Sequence, residues 1–119
     1  MTIGPIPVAS IQEEALGDLK RRVLVTPPRT GNRYLRLVYV TGQPGGKGKV
    51  HTHPGEEAIF TIQGSAAITI EGERFVLTAN TAFIVPPGKE HPLEVVGDTP
   101  WIAVSSFCDD CPLMKASLG

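Results

Sequence analysis

The chain has 119 residues, 11 basic and 12 acidic side chains and a formal net charge of -1, which suits one compact core and leaves no room for two. That balance lacks the basic field of non-specific nucleic-acid binding, and no apolar run approaches the roughly 20 residues of a membrane-spanning helix. Two cysteines exclude a disulfide framework, and residues 1–10 carry neither the basic nor the apolar part of a secretory signal, so a single domain over residues 1–119 with a cytoplasmic location is expected.

Thirteen Gly and 11 Pro punctuate a chain whose apolar residues are mostly Val, Ile, Leu and Ala, the texture of many short strands. Near the start, Ser10 and Glu13 form a capping-box pattern, and Ile11, Ala15 and Leu19 recur every four positions. This predicts a short N-terminal helix, opposed by Gly17 within it. From Val23 onward the pattern is strand-like. Leu35 to Thr41 stops at a Gly-Gln-Pro-Gly-Gly turn, Lys49 to His53 at Pro54-Gly55, Glu57 to Gln63 at Gly64, and Ala66 to Glu71 at Gly72. Arg74 to Leu77, Thr81 to Val85, His91 to Val96 and Trp101 to Phe107 follow. The clearest hairpin runs from Ile68 to Phe75. Short strands at this spacing predict an all-β antiparallel sandwich or barrel.

The chain holds three histidines, His51, His53 and His91. On a strand, His51 and His53 would project from one face. Glu57 follows a Pro-Gly turn, and His91 follows a Pro-x-Gly turn on a later strand. Three imidazoles and a carboxylate suit one divalent transition metal, although a His-x-His pair alone is more often an ordinary surface or core feature.

Written out, Gly45-(x5)-His51-x-His53-(x3)-Glu57-(x6)-Gly64 resembles the first signature motif of the cupin superfamily, and Pro86-x-Gly88-(x2)-His91 resembles the core of the second. Asn80 stands where the second motif usually opens with Gly, and Asn tolerates the left-handed backbone. Val95 stands where that motif often closes with Asn. The resemblance spans about residues 35–107, leaving a short N-terminal segment and a C-terminal Cys-x-x-Cys tail outside the barrel. It implies a double-stranded β-helix, or jelly-roll barrel, with His51, His53, Glu57 and His91 around one metal: Fe(II), Mn(II), Ni(II), Co(II) or Zn(II).

Four protein ligands around a six-coordinate ion leave two positions for water, substrate or dioxygen. The leading expectation is a dioxygenase acting on a small organic molecule. A non-oxidative lyase or isomerase using the metal as Lewis acid is the alternative, and a metal-containing binding module without turnover stands beside both. Strand parity places Lys49 with the two histidines, where it would attract an anionic substrate or simply meet solvent. Ile59 and Thr61 share parity with Glu57, and Phe83 and Val85 are expected to complete an apolar wall; Glu56 should face outward. Cys108 and Cys111 fit a redox dithiol, a disulfide, half of an intersubunit zinc site or, as the plainest reading, no chemical role. Ala58 to Ile62 is apolar on both faces, which predicts a homodimer covering Phe60 or Ile62.

Overall fold

The computed structural model describes residues 4–50, 52 and 54–108. A 3-10 turn at Val8–Ser10 leads into strands β1 (Glu14–Leu16) and β2 (Leu19–Val25), then a one-turn helix α1 (Pro27–Thr30) and β3 (Arg36–Gly42). Strands β4 (Glu57–Gln63), β5 (Ser65–Ile70), β6 (Glu73–Leu77), β7 (Thr81–Val85), β8 (Leu93–Val96) and β9 (Trp101–Phe107) complete the described residues. All pairings are antiparallel. One sheet has the order β1-β2-β3-β9-β4-β7 and the other β6-β5-β8. The all-β fold is as expected, and so is the β5–β6 hairpin, whose turn residues Glu71 and Gly72 both have positive φ, as a type I′ turn requires.

The helix expected from Ile11 to Leu19 is replaced by the β1–β2 hairpin, in which Leu16 pairs with Leu19 across Gly17 and Asp18. Gly17 has φ +64°, and positive φ at the first central residue is the signature of a type II′ turn. A Cβ there would stand 2.7 Å from both the Lys47 carbonyl oxygen and the Lys49 amide nitrogen, so no other residue fits. Ser10 serves a local turn instead, its hydroxyl donating to the Pro7 carbonyl at 2.7 Å. An isolated helix of about nine residues is marginal in water, whereas the hairpin gains a neighbour in β3.

Alternation of side chains sets the inner face of the larger sheet. Register aligns Arg36, Phe107, Glu57 and Val85 in one row, and Val38, Ser105, Ile59 and Phe83 in the next. The sheets enclose a core of Leu19, Val40, Ile68, Leu77, Val95 and Trp101, among others. Two loop features fix this frame. Gly64 has φ +74°, and a Cβ there would lie 2.3 Å from the Pro100 carbonyl oxygen. Arg29 donates to the Leu24 carbonyl at 2.9 Å and also to that of Val23, beside the bulge between Val23 and Val25 that disrupts the ladder locally.

Candidate metal centre and its cavity

Glu57 enters at the start of β4 and is 8% exposed; His91 precedes β8 and is 5% exposed. Glu57 Oε1 lies 3.3 Å from His91 Nε2, and the Ser105 hydroxyl donates to Glu57 Oε2. On the far side of the ring, His91 Nδ1 is 2.9 Å from the Lys89 carbonyl oxygen. A carbonyl only accepts, so Nδ1 carries a proton and Nε2 is the ring atom directed at Glu57. With Nε2 unprotonated, its lone pair and the carboxylate oxygen would suit a cation shared between them. Two donors each about 2.1 Å from one ion stand about 3.0–3.4 Å apart for angles between octahedral and tetrahedral, and the observed spacing falls in that interval. The carbonyl behind Nδ1 and the hydroxyl behind Oε2 are the outer contacts that orient ligands in metal sites.

The donor set therefore fits a divalent transition metal. Of the four expected ligands, the fold brings Glu57 and His91 together; among the described residues no third His, Cys, Asp or Glu joins them, and His51 and His53 lie outside those residues. The segment leading to them is not the strand expected from Lys49 to His53: Lys49, Val50 and Thr52 belong to no strand. It is held from two sides instead. Gly48 N–H donates to the Leu93 carbonyl at 2.9 Å, and Asp18 N–H to the Lys47 carbonyl at 2.8 Å. Lys47 N–H in return donates to Asp18 Oδ2 at 3.1 Å.

Two hollows meet at Glu57 and Ser105. The inner one, of about 50 Å³, is bounded by Leu19, Ile59, His91, Trp101 and Lys49. The outer one, of about 300 Å³, is bounded by Arg21, Arg36, Val38, Thr52 and Phe107. The inner recess is much the smaller of the two. The outer chamber reaches the lower end of the range for ligand sites, about 300 Å³.

Of the expected pocket residues, Lys49 and Ile59 reach the inner recess. Thr61 is fully buried and accepts a hydrogen bond from Trp101 Nε1 at 3.1 Å. Phe83 packs against Phe75 at 5.2 Å between ring centroids, and Val85 is fully buried in the core. Glu56 is exposed. Cys108 is buried just past β9, while Cys111 lies outside the described residues. Sequence reasoning missed Ser105, Trp101, Leu16 and the two arginines. Ser105 carried a signal, since Trp101, Ala103 and Ser105 alternate inward on β9 and a polar residue on a buried face requires a partner. Arg36, two residues before inward Val38, carried the same signal.

The motif departure at Asn80 takes the left-handed conformation that a glycine would supply there, with φ +63°. The description "Cupin domain" matches residues 38–107. The chain is 31% identical over 83 residues to the protein named polyketide synthase CurC of Streptomyces cyaneus, covering 69% of this chain and 53% of that protein. It spans about half the length of that curated relative. A crystal structure of an RmlC-like cupin from Shewanella frigidimarina superposes with a TM-score of 0.70 at 27% identity, covering 87% of this chain and 88% of that one. The polyketide cyclase RemF from Streptomyces resistomycificus superposes with a TM-score of 0.78 at 18% identity, covering 93% and 82%; at that identity the likeness is one of fold. Motifs, barrel and family match agree: the chain belongs to the cupin family.

Proposed function

We propose that the protein is a metal-dependent cupin enzyme acting on a small, partly apolar organic molecule. The observation that carries this reading is the buried Glu57–His91 pair, 3.3 Å apart, at one end of a chamber of about 300 Å³. His51, His53, Glu57 and His91 would hold the metal. Bound there, Fe(II), Mn(II), Ni(II), Co(II) or Zn(II) supplies Lewis acidity and open positions for substrate oxygens or dioxygen.

The chain's own groups do the rest. Ser105 fixes the Glu57 carboxylate by donating to Oε2, and the Lys89 carbonyl fixes the His91 tautomer. Leu19, Ile59 and Trp101 line the inner recess with apolar surface, which would limit the contact of bulk water with the reacting end of a bound substrate. Dioxygenation of a chelating substrate is the reaction we put first. A second reading is non-oxidative lyase or isomerase chemistry with the metal as Lewis acid, and the likeness to the polyketide synthase CurC supports including ketide-type molecules among its probes.

One experiment separates the readings. Protein loaded with each metal is incubated with small diketones, catechols and poly-β-keto esters, with and without oxygen, following oxygen uptake and product mass. Turnover that requires oxygen supports dioxygenation, and turnover that proceeds without it supports the second reading. Metal uptake with no conversion of any probe would favour a binding module, and absence of metal uptake would overturn the centre itself. We also propose a homodimer in solution, argued below from the outer face of β4.

A further inference from the structure

Four side chains border both hollows: Leu16 from β1, Val40 from β3, Glu57 from β4 and Ser105 from β9. Ser105 donates to Glu57, so Leu16 and Val40 form the apolar part of the junction. Val40 is 7% exposed and belongs to the central core, on a strand flanked by β2 and β9. Leu16 is different. It is half-buried, packs against that core from outside, and stands on the strand that ends the sheet among the described residues. Of the two, it is the side chain whose size can change with the least repacking of the core.

Its position is nonetheless fixed. Leu16 pairs with Leu19 across the turn of Gly17 and Asp18, and that turn is seated on the backbone of Lys47 to Lys49. Asp18 N–H and its carboxylate both engage Lys47, and Gly48 N–H donates to the Leu93 carbonyl at 2.9 Å. Gly48 and Leu93 themselves border the inner recess. One hydrogen-bonded unit therefore carries both Leu16 and part of the recess wall. Beyond the junction that wall is formed by Leu19, Ile59, Trp101 and Ala103, with Lys49 and His91 as polar members. Burying an unmatched polar group against such surface is costly, so the recess favours an apolar group.

We infer that Leu16 is a specificity-determining residue, which limits by its bulk the width of the apolar arm that a substrate can pass from the outer chamber into the inner recess. This rests on the proposed function for the identity of the hollows as a substrate site. It narrows the substrate class to molecules with a slender, unbranched apolar arm next to the group directed at Glu57 and His91. The strand that supplies Leu16 lies outside the residues matching the cupin domain, so this selectivity is an addition to the barrel.

The test uses the full chain stripped of metal by chelation, so that its result is independent of the metal centre. The probes are n-hexanol and cyclohexanol, which have the same number of carbons and differ in width. Trp101 is the only tryptophan of the chain; it borders the recess and donates to the Thr61 hydroxyl at 3.1 Å, so its indole N–H signal in NMR reports occupancy. A misfit of about one methylene in an apolar site discriminates at least about tenfold, and n-hexanol is expected to bind more tightly than cyclohexanol by about that factor. Leu16→Ala should reduce this ratio at least about fivefold through tighter cyclohexanol binding, and Leu16→Phe should weaken both alcohols. Leu16→Met, of similar volume, should keep the ratio within about twofold. A merely structural role would weaken both alcohols equally in Leu16→Ala, and that result overturns the inference. An unchanged ratio in both Leu16→Ala and Leu16→Phe, or an indole signal that neither alcohol moves in the unaltered protein, also overturns it. Each of these results leaves the metal centre intact, since metal uptake is measured separately.

Discussion

Ser105 illustrates how a single hydroxyl acts on chemistry it does not perform. It donates to Glu57 Oε2 from the neighbouring strand, which leaves Oε1 toward His91. Ser105→Ala removes that donor from a buried carboxylate. Loss of such an outer contact typically costs about 10–100-fold in metal affinity, and chelator-competition titration should show a decrease of this size, restored in part by Ser105→Thr. An unchanged affinity would mean that Glu57 is held by other means. His91→Ala should lower metal content much more strongly, read by elemental analysis of the purified variant. Gly64 is a matter of backbone rather than chemistry. A methyl group there meets the Pro100 carbonyl oxygen at 2.3 Å in a left-handed conformation. Gly64→Ala should therefore lower unfolding free energy by at least about 2 kcal/mol in urea titration.

At the scale of elements, the outer face of β4 exposes Phe60 (43%) and Ile62 (44%), and neighbouring β7 exposes Ile84 (56%). Register places Phe60 beside Ala82 and Val104, and Ile84 beside Ala58, so the apolar surface is continuous across three strands. Among the described residues β7 is also the edge of its sheet, a position at which another chain can pair. These features support the proposed homodimer. Sedimentation at micromolar concentration should give twice the chain mass, and Phe60→Glu with Ile84→Lys should give the single-chain mass with an unchanged circular dichroism spectrum. The β1–β2 turn makes a second prediction. Asp18→Ala deletes the carboxylate that receives Lys47 N–H, and amide exchange at Lys47 and Gly48 should accelerate several-fold while exchange in β5 stays constant.

For the whole molecule, the apolar core lies between the two sheets and does not depend on a metal. Metal-stripped protein is therefore expected to remain folded, with bound metal adding about 2.7 kcal/mol at a free concentration one hundred times the dissociation constant. Thermal melts with and without metal would check this; an unfolded stripped protein would show that the centre is structural.

Much of this molecule was legible in its sequence. Turn residues and the two-residue alternation of apolar side chains mark β4, β5, β7 and β9 because both signals act within a few residues. The spacing of the two motifs marks the family and the inward positions of Glu57 and Ile59 for the same reason. What escaped depended on partners distant along the chain. Residues 11–19 carry a helical period, yet Gly17 lies against the backbone of Lys47 and Lys49, and only that contact selects a hairpin. Thr61, Phe83 and Val85 have the expected parity, but Trp101 and Phe75 cover the first two and packing seals the third. The joining of Ser105 to Glu57, and of Arg21 and Arg36 to one chamber, is set by strand order. Local sequence determines which way a side chain faces; only the pairing of β2, β3, β9 and β4 decides what it faces.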